Sequence, residues 1–123
     1  MSDRILILCA EPESRDKIVA SVRERGLDPV LPSNHRQART LLAQHDLAAV
    51  FCSDDLGEYP DIIEAARPAP VIIVSRLAEW DPYLAALRAG AFDYIACPPD
   101  SREVQRILAS ALNGRSRFNG AEA

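Results

Sequence analysis

Ile5-Leu6-Ile7-Leu8-Cys9-Ala10 is apolar at every position. Such a run reads as a strand buried on both faces, the kind found in parallel sheets. Downstream, Pro12 followed by Glu13-Ser14 predicts a helix start. Ile18, Val19 and Val22 form its apolar stripe between Arg15, Lys17, Arg23, Glu24 and Arg25, and Gly26 is placed as its stop. The spacing therefore predicts a helix over 14–25. Leu47 to Cys52 and Val71 to Val74 repeat the buried-strand pattern, and Phe92 to Cys97 gives another, cut off by Pro98-Pro99. Asp28 to Pro32 is weaker. Its two prolines each remove a ladder donor, so it reads as an edge strand.

Helical stripes fill the gaps. Ser33 or Asn34 caps a second helix carrying Ala38, Leu41 and Leu42 and ending near His45-Asp46. Ser53 to Gly57 reads as a polar loop, 61–66 as a short third helix, and Ser75 to Trp80 as a loop. Asp81-Pro82, a cap followed by proline at the first helical position, opens a fourth helix that stops at Gly90. Asp100 or Ser101 caps a fifth, with Val104, Ile107, Leu108, Ala111 and Leu112 on one side, and Asn113-Gly114 ends it. The order is (βα) five times over. This predicts an α/β, flavodoxin-like, doubly wound parallel sheet with the proline-bearing strand at its edge, in strand order 2-1-3-4-5. In such sheets function gathers at the carboxyl ends of the strands. That rule nominates Cys9-Ala10-Glu11, Ser53-Asp54, Ser75-Arg76 and Cys97-Pro98.

The 123 residues are 48% hydrophobic and 26% charged, ordinary for one globular domain. Residues 1–114 are expected to form it, with 115–123 a disordered tail. The longest apolar runs fall far short of a membrane span, and the opening Met-Ser-Asp-Arg has no signal-peptide character, so a soluble cytoplasmic domain is expected. A formal net charge of −4 disfavours direct nucleic-acid binding. Lys17 is the single lysine. Cys9, Cys52 and Cys97 match no zinc spacing and read as reduced thiols. His35 and His45 flank the second helix and read as surface residues.

The segments Ile5 to Ser14, His45 to Ser53, Val71 to Ser75 and, most specifically, Leu87-Arg-Ala-Gly-Ala-Phe-Asp-Tyr-Ile-Ala-Cys-Pro98 resemble the receiver domain of bacterial two-component response regulators, from about residue 3 to residue 113. The resemblance implies a signalling module, not an enzyme. The family's paired acidic motif falls on Cys9 and Ala10, its phosphoacceptor aspartate on Ser53, its strand-four hydroxyl on Ser75 and its strand-five lysine on Cys97. Pro98 keeps the proline that follows that lysine, in a context resembling the family's cis-proline turn, and Tyr94 keeps the aromatic switch position. The resemblance therefore implies a degenerate phosphorylation pocket of Cys9, Ala10, Ser53, Ser75 and Cys97.

Mg²⁺ needs anionic oxygen ligands, and a serine hydroxyl is a poor nucleophile without a base. No metal site, cofactor or catalytic residue is expected. Asp54 and Glu11, each one residue beyond these positions, leave open a shifted site with Asp54 as acceptor; otherwise Asp54 and Asp55 are a solvated loop. Cys9 and Cys97 are expected to be neighbours. They admit two readings, space-filling thiols or a redox or small-molecule site of flavodoxin type, while Cys52 points into the core. Trp80 and Tyr83 in the fourth helix, with Tyr94, are candidates for the switch and partner face. That face, formed by the fourth helix, fifth strand and fifth helix, is where receivers dimerise or dock. The implied partner is a protein: a histidine kinase, an output protein or a second copy.

Overall fold

In the computed structural model, which describes residues 3–54, 58–76 and 80–113, five strands alternate with five helices. They are β1 (Arg4–Leu8), α1 (Pro12–Glu24), β2 (Asp28–Val30), α2 (His35–Gln44), β3 (Ala49–Ser53), α3 (Tyr59–Ala66), β4 (Val71–Ser75), α4 (Trp80–Ala89), β5 (Asp93–Ala96) and α5 (Ser101–Leu112). All strands pair in parallel, in the order β2-β1-β3-β4-β5. The expected fold and strand order are both present. β2 takes the edge, where Pro29 sits opposite Ile5 without interrupting a central ladder.

Alternation along the strands divides the interior into two layers. Ile5, Ile7, Phe51, Ile72, Val74 and Ile95 face one way and meet Ile18 and Val22 of α1 and Val104, Ile107 and Leu108 of α5. Leu6, Leu8, Val50, Cys52, Val71, Ile73 and Tyr94 face the other way and meet Ala38 of α2, Ile62 and Ile63 of α3 and Ala86 of α4. Both faces of the sheet are covered, which is why its strands are apolar without alternation. Cys52 lies in the second layer, as expected.

Several boundaries differ from the sequence pattern, each for a local reason. α1 starts at Pro12, with Glu11 as its cap in place of Glu13-Ser14. Proline is pre-organised for the first helical turn, and Ser14 is carried inside as a fully buried residue. β3 runs one residue further than its apolar run, so Ser53 is a strand residue and pairs with Val74. α3 begins at Tyr59 and α4 at Trp80, with Pro60 and Pro82 both tolerated in a first turn. β5 ends at Ala96, leaving Cys97 just beyond it, before a cis Cys97–Pro98 bond. Asn34 caps α2 by accepting from the Gln37 amide at 2.8 Å, and Asp100 caps α5 through the Arg102 amide. Gly90 closes α4 at φ +105°, and a Cβ there would lie 3.4 Å from the Ile63 side chain.

His35 corrects a surface assignment. Its side chain is only 17% exposed, with Nδ1 3.4 Å from a Glu58 carboxylate oxygen and Nε2 3.2 Å from the Glu58 carbonyl. It fastens the start of α2 to the start of α3. His45 is exposed, with Nδ1 3.1 Å from the Arg4 guanidinium. No helix among the described residues is long and apolar enough to cross a membrane.

Candidate functional site

The carboxyl ends of β1, β3, β4 and β5 bring Cys9, Ala10, Ser53, Ser75 and Cys97 to one end of the sheet. Parallel register fixes this: Leu8 lies opposite Cys52, Ser53 opposite Val74, and Ser75 opposite Ala96. Ser53 and Ser75 are buried, 4% and 1% exposed, Cys9 is buried as well, and Ala10 is open to solvent. The Ser53 hydroxyl oxygen accepts the Ala10 amide at 3.3 Å. The Cys97 amide donates to the Ser75 carbonyl at 2.6 Å, carrying the β4–β5 ladder one step past β5.

A second cluster stands over the first. The Cys9 thiol lies 3.7 Å from the Glu11 carbonyl. The Glu11 carboxylate takes a hydrogen bond from the Ser14 hydroxyl on one oxygen, and on the other lies 3.4 Å from Nε of Arg76. Strand patterning alone does not reveal this pair. Opposite charges just past β1 and just past β4, the two neighbours of β3, are the signal that finds it.

Cys97 is half-buried. Burial pushes its thiol up, Ser14 acts in the opposite direction, and the nearby Glu11, Cys9 and Asp54 push it up further. A raised thiol is a slow nucleophile near neutral pH. Cys9 and Cys97 are thus within each other's electrostatic reach, and all three cysteines are free.

Asp54 is half-buried rather than part of a fully solvated loop. Its charge reaches Tyr59 and Tyr94, whose phenols burial has already pushed up. Asp55 and the rest of the loop to Gly57 lie outside the described residues. Tyr94 hydrogen-bonds Ser75 and is 6% exposed, so it is an interior residue rather than part of an open face. Its ring meets Tyr83 edge-on at 5.7 Å, and Tyr83 stacks on Trp80 at 5.3 Å with 5° between the planes. Trp80, 69% exposed, is the outer end of this three-ring series. The side-chain oxygens described at this end of the sheet thus include the hydroxyls of Ser53, Ser75, Ser14 and Tyr94, the ion-paired Glu11, and Asp54. No three His, Cys, Asp or Glu side chains among the described residues are grouped to hold a metal ion.

No family model matches the chain. It is similar to the response regulator protein PilR of Pseudomonas aeruginosa, 27% identical over 121 residues that cover 92% of this chain and 27% of that protein. Two solved structures share its fold. A response regulator from Thermotoga maritima superposes with a TM-score of 0.82 at 18% identity, covering 92% of this chain and 99% of that one. The receiver domain of the sensor histidine kinase PA1611 from Pseudomonas aeruginosa, solved with a magnesium ion in its active-site cleft, gives 0.75 at 24% identity, covering 92% and 99%. The chain spans about a quarter of the length of the curated relatives it matches.

Proposed function

Starting from the chain as a receiver domain of the response-regulator type, we propose that it serves two-component signalling as an atypical member, acting by protein contact without accepting a phosphoryl group. The observation that carries this reading is the residue at the end of β3. Ser53 offers a hydroxyl whose oxygen already accepts the Ala10 amide, between a thiol and a methyl group at the end of β1 and a thiol beyond β5.

The chemistry follows from the donor set. Mg²⁺ asks for several anionic oxygens in near-octahedral array. Of the described carboxylates near Ser53, Glu11 is engaged by Arg76 and Ser14, which leaves Asp54 as one carboxylate where the ion asks for several anionic oxygens. These residues do not suit the ion. A serine also needs a base to act as a nucleophile, and both imidazoles are engaged elsewhere, His35 with Glu58 and His45 with Arg4.

On this reading residues 1–114 are the signalling unit and 115–123 a tail. The unit works in the cytoplasm as a binding module, not an enzyme, with no cofactor. Its partner is a protein, a histidine kinase, an output protein or a second copy, rather than nucleic acid or membrane. The face of α4, β5 and α5, with Trp80 outermost, is the proposed contact. Beryllofluoride plus Mg²⁺, a phosphoryl mimic, tests the reading through the fluorescence of Trp80, the single tryptophan. No change is expected; a saturable, Mg²⁺-dependent change refutes it.

A further inference from the structure

We propose that Glu11 and Arg76 form a strap across the end of β3 at Ser53, and that opening this strap is the conformational step by which the chain changes state; the second half rests on the reading that no phosphoryl group is accepted. The sheet order places β3 between β1 and β4. Glu11 follows the end of β1, and Arg76 is the first residue past β4. A bond between them, 3.4 Å from Nε to the carboxylate, therefore spans the end of β3, where Ser53 is only 4% exposed.

The two arms differ in mobility. The Glu11 carboxylate is fixed on its other oxygen by the hydroxyl of Ser14, itself fully buried. As the cap residue of α1, Glu11 also lies at the positive end of that helix. Its side chain is 24% exposed, against 68% for Arg76. The carboxylate is the anchor and the guanidinium the solvated arm. A pair this exposed is worth little on its own. The open form therefore lies within reach of any partner that binds it better than the closed one, which is the requirement for a shift in population.

Cys97 reports on the strap because its amide is bonded to the carbonyl of Ser75, the residue before Arg76, and Glu11 acts on its half-buried thiol, while Cys52, buried in the other layer, is the control. Iodoacetamide labelling of the full chain, read for each cysteine by peptide mass over a range of pH, separates access from thiolate content. Arg76→Gln and Glu11→Gln should each speed Cys97 labelling at equal thiolate content by about two- to fivefold, and the double variant no further, as for partners in one contact. Added salt should speed the wild type but not the variants. Unchanged Cys97 labelling in both variants, or Cys52 labelling that rises in step, overturns the strap. A phosphoadduct on Ser53 or Asp54, sought separately by mass, would remove the reading beneath it and leave the strap to stand or fall on the labelling.

Discussion

The hydroxyl of Ser53 accepts the backbone amide of Ala10 at 3.3 Å, so the ends of β3 and β1 are joined by a neutral hydrogen bond. Ser53→Ala leaves that part-buried amide without its acceptor. Such a loss costs about 1 kcal/mol. Urea unfolding should show a lower midpoint with an unchanged slope; an unaltered midpoint would mean that solvent serves the amide equally well.

The core is centred on Phe51, fully buried on β3 among the side chains of α1 and α5. Phe51→Ala removes the largest fully buried side chain of that layer and should cost about 3–5 kcal/mol, the usual range for a core aromatic truncated to alanine. The equilibrium urea midpoint checks this. A loss near 1 kcal/mol would show that the layer collapses to fill the space.

These two neighbours on β3 also mark what the sequence makes legible. Phe51 belongs to a run apolar enough to declare a doubly covered strand, and five such alternations fix the fold and even its edge strand, because Pro29 cannot sit centrally. Ser53 is harder. Its place at the strand end follows from the resemblance, but not that its oxygen is already held by Ala10. Helix starts at Pro12 and Tyr59 escape the pattern because their cap residues, Glu11 and Glu58, make no side-chain cap hydrogen bond and so carry none of the usual Ser, Thr, Asp or Asn signature. The Glu11–Arg76 pair joins residues 65 positions apart and becomes visible only once the order β1-β3-β4 is known. The packing of His35 on Glu58 is likewise a tertiary contact.

The pH dependence of stability has a definite sign. Cys97, Tyr59 and Tyr94 are all pushed up by burial from ordinary values of 9.0 for the thiol and 10.0 for the phenols. Each group keeps its proton longer when folded, so its contribution is fully present below those values and is lost as pH rises past them. The urea midpoint should be flat with respect to these groups near neutrality and fall once pH exceeds about 9. Cys97→Ser should delay the onset of the fall, and a midpoint that rises there would contradict the assignment.

Trp80 stacks on Tyr83 yet is 69% exposed. Trp80→Ala should cost about 1 kcal/mol or less, the scale of one partly solvated aromatic pair. Iodide should quench Trp80 in the isolated protein, and a bound partner that uses the α4 face should protect it. Quenching that is equal with and without a bound partner would place the contact elsewhere.

The most direct test of the central claim is intact mass after incubation with acetyl phosphate and Mg²⁺, with peptide mapping of the segment that holds Ser53 and Asp54. The mass should remain that of the unmodified chain. A stable gain of one phosphoryl group at either residue would contradict the account.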